Sequence, residues 1–129
     1  MSNPTYTESA EQPRKPIAWL KGEVRTPPFS RAARIEAGWL LGRLQDREKL
    51  GMPHSRPIPS IGPRCHELRI RDENVNWRII YRIDADAILI LDVFVKKSRQ
   101  LRQAVIAACQ RRLTGYDRAA REHREKRDE

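Results

Sequence analysis

The sequence is 129 residues long and carries 26 Lys and Arg against 17 Asp and Glu, a formal net charge of +9. That length suits one hydrophobic core and not two, and a positive excess of this size asks for a polyanion or an acidic partner, with a solvated basic face as the bland alternative. No apolar run approaches the roughly 20 residues that cross a bilayer, and residues 1–16 hold no apolar signal stretch, so a cytoplasmic protein with no membrane partner is expected.

Residues 1–15 are polar and read as a flexible arm. A short strand is expected over 17–20, with an extension towards Val24. The run Thr26-Pro27-Pro28-Phe29-Ser30 stops it, because proline brings no amide to a ladder, and Ser30 offers its hydroxyl to the first turn of a helix. Ala33, Ala37, Leu40, Leu41 and Leu44 recur at helical spacing, which predicts a helix over 31–49 closed by Gly51. Pro53, Pro57, Pro59, Pro63 and Gly62 make 51–63 a loop. Strands follow at 65–72, 77–83 and 87–95, and their short connections make an antiparallel meander. A second helix is expected from about Ser98 to Gly115, with Leu101, Val105, Ala108, Cys109 and Leu113 on one stripe. The charged tail 116–129 is either a solvated helix or disordered. The order β-α-β-β-β-α predicts an α+β domain over 16–115: a small, mainly antiparallel four-stranded curved sheet with the helices packed on one face.

Side chains alternate along a strand. On the strand at 65–72, His66, Leu68 and Ile70 point one way and Glu67, Arg69 and Arg71 the other. On the strand at 77–83, Trp77, Ile79, Tyr81 and Ile83 form an apolar set, and Arg78, Ile80 and Arg82 the opposite set. Matching apolar to apolar gathers Glu67, Arg69, Arg71, Arg78 and Arg82 on one open face, with Arg64 just before it in sequence and Lys96 and Lys97 on its rim. Arginine's planar fork suits phosphate oxygens. A lone carboxylate among cations, Glu67, could take the proton of a ribose 2′-hydroxyl while the cations stabilise charge on phosphorus and on the leaving oxygen. That chemistry needs neither metal nor cofactor. The competing reading of the same pattern is a solvated strand face with weak ion pairs.

Other chemistry-bearing residues are scattered. Cys65 and Cys109 read as free thiols. His54, His66 and His123 have no metal-ligand spacing, and His66 falls with the core set. Trp19, Trp39, Trp77 and Tyr81 read as core, with stacking on a base at the sheet edge as the alternative for Trp77.

The segment Leu50-Gly-Met-Pro-His-Ser-Arg-Pro-Ile-Pro-Ser-Ile-Gly-Pro runs into Cys65-His-Glu-Leu-Arg-Ile-Arg-Asp. Trp77-Arg-Ile-Ile-Tyr-Arg-Ile and Ala87-Ile-Leu-Ile-Leu-Asp-Val-Phe-Val-Lys-Lys follow. In combination these resemble the phage-derived, HigB-like branch of the RelE/ParE toxin superfamily, over roughly residues 17–113. The resemblance implies a RelE-like fold and the toxin of a type II toxin–antitoxin pair. It implies an endoribonuclease that cleaves messenger RNA in the ribosomal A site and so inhibits translation. The implied partners are messenger RNA, the ribosome and a cognate antitoxin of helix-turn-helix type. By position the family's catalytic cations correspond to Arg69, Arg78 and Lys97, to which the chemistry above adds Glu67. Arg64, Arg71, Arg82 and Lys96 are the expected RNA-binding residues.

The chain also departs from that pattern. Ser98-Arg99-Gln100-Leu101 follows the two lysines where relatives often carry Thr and a Lys-Thr-Pro motif, and Glu67 stands where some carry lysine. Tyr116, the nearest tyrosine after Lys97, is distant, which leaves the general acid unassigned. A ParE-like gyrase inhibitor and a non-catalytic nucleic-acid-binding module are the alternatives. The first lacks a basic cluster on the sheet, and the second predicts salt-dependent binding without turnover.

Overall fold

A strand that is apolar on both faces must be covered on both, and the run Ile88–Val95 organises the molecule for that reason. The computed structural model describes residues 13–21 and 28–128. They form β1 (Ile17–Trp19), α1 (Arg31–Gln45), β2 (Ser55–Pro57), β3 (Cys65–Asp72), β4 (Val75–Ile83), β5 (Ile88–Val95) and α2 (Gln103–Arg127). The strands make one open sheet in the order β1-β5-β4-β3-β2. β1 runs parallel to β5, with Ile17 opposite Ile88, and the other pairings are antiparallel. The α+β class and the mainly antiparallel sheet expected from the sequence hold. The strand count rises from four to five, because Ser55–Pro57, inside the proline-rich segment, pairs with β3. Pro57 is tolerated there because β2 lies at the sheet edge, where no second neighbour needs its amide.

The expected placement of both helices on one face is corrected. Ala33, Ala37, Leu40, Leu41 and Leu44 of α1 pack with Leu68, Ile70, Ile79, Tyr81, Ile88 and Ile90. On the other face, Ile106, Cys109 and Leu113 of α2 pack with Cys65, Ile80, Leu89 and Leu91. The second apolar set of β5 is what α2 covers. A β-bulge adjusts that face: Ile80 pairs with Asp92 and Tyr81 with Ile90, so Leu91 is the extra residue. Leu91 and Asp92 therefore both turn towards α2, where Asp92 lies 3.9 Å from Arg112. Val93 and Val95 return to the α1 side.

Local chemistry sets the helix ends. The Ser30 hydroxyl accepts from the Ala33 amide at 3.1 Å, capping α1 as expected. The Ser30 amide in turn donates to Asp72 Oδ2 at 2.9 Å, and the Trp77 indole donates to the same oxygen at 3.2 Å, which fastens the helix start to β3 and β4. α1 stops at Gln45 rather than near Lys49: the Asp46 amide closes onto the Gly42 carbonyl and Arg47 turns left-handed at φ 70°. Trp39, expected in the core, is 58% exposed, because it falls off the apolar stripe of its own helix. α2 starts at Gln103, passes Gly115 without a break and runs to Arg127, so the charged tail is a helix as far as the description extends. The expected flexible arm lies largely outside the described residues. Its end is fixed, however: Lys15 is buried, its amide donates to the Gln45 carbonyl at 3.0 Å, and its ammonium donates to the Asp84 carbonyl at 2.7 Å.

Candidate functional site

Strand pairing places Glu67 opposite Arg56 of β2 and Ile80 of β4, with Arg78 one step along the diagonal. The edge strand thus delivers Arg56 Nε to Glu67 Oε2 at 3.0 Å, and Arg78 Nε comes within 2.6 Å of Oε1. Glu67 is 2% exposed and Arg78 5%. Arg78 Nη1 in addition donates to the Trp77 carbonyl at 3.0 Å. The pair keeps its charge only against a large desolvation penalty. Burial pulls Arg78 below the ordinary guanidinium value; Glu67 opposes that and Arg69 adds to it.

Beside this pair opens a cavity of about 390 Å³. Its wall carries Arg56, Lys96, Lys97 and Arg102 around the single carboxylate Glu67, with Phe94, Val95, Leu101 and Val105 supplying apolar surface. Four cations against one anion leave the cavity strongly positive. Burial lowers the Lys96 ammonium below the ordinary lysine value; Glu67 opposes the shift, and Arg78, Arg56 and Arg69 reinforce it. α2 also begins at this wall. Its N-cap is Arg102, which supplies no side-chain oxygen; the Val105 amide donates to the Arg102 carbonyl at 3.0 Å, and the other first-turn amides and the positive end of the helix dipole add to the same field. The arrangement can hold an anion with an apolar group attached, in a volume typical of small-ligand clefts.

The structure divides the residues singled out from the sequence. Glu67, Lys96 and Lys97 line the cavity. Arg78, expected on the open face and away from packing, is instead buried, because the diagonal carboxylate draws its guanidinium down onto the sheet. Arg69 stands directly opposite Arg78, half-buried, with its amide on the His54 carbonyl at 2.8 Å. Arg78 and Arg69 adjoin the cavity without lining it. Arg71 is exposed opposite Asn76, next to the β3–β4 turn.

Arg82 and Arg64 are not part of this cluster. Arg82 forms two forked pairs, with Asp84 at 2.7 and 2.9 Å and with Asp117 of α2 at 3.0 and 2.8 Å. The hydrogen bonds it donates to Asp117, then those it donates to Asp84, hold it well above the ordinary arginine value. Arg64 donates to the Ile83 carbonyl at 3.0 Å and lies 3.5 Å from Asp84. The single arginine face expected from alternation is therefore two separate places.

Sequence reasoning missed Arg56 and Arg102. Arg56 sits between prolines with no periodicity to mark it, and Arg102 precedes a helix whose start was set four to five residues too early, at about Ser98. Elsewhere the bland readings fit. Cys65 and Cys109 are free and buried, and burial pushes the Cys109 thiol up to about 12. Tyr81 is buried, shares a hydrogen bond with Ser55, and stacks on half-buried His66 with centroids 5.4 Å apart. Among the described residues no group of three or more His, Cys, Asp or Glu is placed to hold a metal ion, and no helix is long and apolar enough to cross a membrane.

The sequence model of the phage-derived Gp49-like protein family (DUF891) matches residues 28–114. That span contains every residue of the cavity wall, and it excludes β1 and the outer half of α2. No curated protein and no solved structure matches the chain.

Proposed function

The chain belongs to the phage-derived Gp49-like family, and from that premise we propose that it is the toxin of a toxin–antitoxin pair and cleaves messenger RNA at the cleft beside Glu67. We place it with the HigB-like branch of the RelE/ParE toxins, with translating ribosomes as the setting and a cognate antitoxin as the partner. The observation that carries the reading is the imbalance of the cavity: Arg56, Lys96, Lys97 and Arg102 around one carboxylate. RNA supplies what such a wall lacks, a phosphate for the cations and a base for the apolar surface of Phe94 and Leu101.

In the proposed reaction the ribose 2′-oxygen attacks the adjacent phosphorus and the P–O5′ bond breaks, giving a 2′,3′-cyclic phosphate and a 5′-hydroxyl. Arg56, Arg102 and the α2 amides neutralise the charge that builds on the phosphorane. The sequence pointed to Glu67 as proton acceptor. With both of its oxygens committed to guanidinium groups, Glu67 is instead the residue that positions Arg56 and Arg78. Lys96, whose ammonium is lowered by burial beside other cations, takes the 2′-hydroxyl proton. Lys97, exposed at the mouth, serves the leaving oxygen.

Controlled expression with mapping of transcript ends tests this. Growth arrest with cyclic-phosphate ends in messenger RNA, surviving chelator in a purified cleavage reaction whose ribosomes a separate control shows to be intact, is the expected result. Ends carrying a 3′-hydroxyl would mean that water attacks and would overturn the chemistry. Intact RNA with inhibited supercoiling by gyrase would replace the ribonuclease reading altogether.

A further inference from the structure

α1 carries a second surface, away from the cleft. Ile35 and Trp39 stand one turn apart and are 61% and 58% exposed, although side chains of this size are ordinarily covered. They lie opposite the Ala33, Ala37, Leu40, Leu41 and Leu44 stripe that packs on the sheet. Arg43 lies with its Cζ over the Trp39 ring, 4.9 Å from the centroid, which holds one face of the indole by cation–π attraction and leaves the other open. At Gly38 a Cβ would meet nothing within 4 Å, so another backbone can come close beside the indole. Arg31, Arg34 and Arg43 border the patch; Glu36 is the one carboxylate of the helix, and Glu48 just beyond its end pairs with Arg43 at 3.2 Å, which leaves Arg31 and Arg34 as the excess charge. None of the cleft-lining residues comes from α1.

We propose that this outer face of α1 docks an amphipathic helix of a protein partner, with the partner's apolar stripe bordered by Asp and Glu. The charge decides the occupant. A second copy of this chain would bring the same arginines and a net charge of +9 against its twin, and like fields at an interface oppose association. An acidic helix meets the border arginines with the opposite sign, while Ile35 and Trp39 supply the anchors that helix recognition uses at a spacing of one turn. Such a partner leaves the cleft open, since it sits on the opposite face of the sheet. The inference does not depend on the chemistry assigned to the cleft.

Selection from a peptide library tests it. The full-length chain is panned against displayed helices of roughly 20 residues, with apolar positions fixed at i, i+3, i+4 and i+7 and flanks randomised among Glu, Lys, Gln and Ser. Enrichment of Glu at the flanks is expected. Selected peptides should lose about ten-fold or more in affinity for the Ile35→Ala/Trp39→Ala variant, whose exposed positions carry little of the fold, and keep their affinity for Lys96→Met. Three results would overturn the proposal: flanks without acidic enrichment, affinities unchanged by the α1 substitutions or lost with Lys96→Met, or self-association of the chain that the α1 substitutions abolish.

Discussion

Two arginines on β4, four residues apart and on the same face of the sheet, have opposite fates. Arg82 finds two carboxylates, Asp84 from the next turn and Asp117 from α2, and makes four hydrogen bonds to them. Arg78 finds one carboxylate, Glu67, which it shares with Arg56, and it faces Arg69 across the strand. At one end of the strand charge is cancelled within the molecule, and the ion pair ties α2 to the sheet. At the other end positive charge is left over beside a cavity. Identical residue types in an identical alternation thus give a structural clamp and a candidate site, and the difference lies in what the neighbouring elements bring.

Substitutions can break or sharpen that contrast. The largest effect is expected from Lys96→Met, which should lower RNA cleavage by about 10²–10⁴-fold, the usual worth of a proton acceptor. A lysine base works unprotonated, so wild-type cleavage should rise with pH and level off below the ordinary lysine range, and the variant should lack that rise. A rate–pH profile of both proteins checks this. Glu67→Gln leaves Arg78 buried without a counter-charge and should cost about 3 kcal/mol in urea unfolding. Its residual cleavage should keep an alkaline rise, moved to lower pH because the Glu67 charge no longer supports the Lys96 ammonium; a lost alkaline rise would restore Glu67 as the base.

Arg82→Met should cost about 2 kcal/mol, less because Asp117 is half-exposed and can return to water. Cleavage per folded molecule should be unchanged, which separates the clamp from the cleft. The smallest effect is at Asp117. Its carboxyl is held below the ordinary aspartate value, mainly by hydrogen bonds from Arg82, so its contribution is fully present above about pH 4 and is lost as pH falls towards the lowered value. With Asp117 so exposed, that contribution is under about 1 kcal/mol. Unfolding of Asp117→Asn at pH 7 and pH 3 should show a larger deficit at pH 7 than at pH 3.

Much of this was legible in the sequence. Ser30 marked the start of α1, the turns marked the meander, and alternation along β3 and β4 put Glu67, Arg69 and Arg78 on one side. The run Ile88–Val95 is apolar on both faces, and that fact already required cover on both sides; placing both helices on one face went against it. Alternation says which face a side chain takes but nothing about the elements that fold over it. Hence Arg78 and Arg82 read alike until β2 brought Arg56 to one end and α2 brought Asp117 to the other. β2 itself was hidden because three strand residues among prolines carry no period, and Gly115 misled because a glycine with no steric demand does not have to end a helix.

Cross-linking tests most directly which end of β4 meets RNA. A single-stranded 2′-O-methyl RNA, which cannot be cleaved by 2′-attack, carries 4-thiouridine and is irradiated with the wild-type chain, and the linked peptides are identified by mass spectrometry. Links at Phe94–Lys97, Leu101, Arg102 and Arg56 are the predicted result. Links concentrated at Arg64, Arg82 and Asp117 instead would contradict the account.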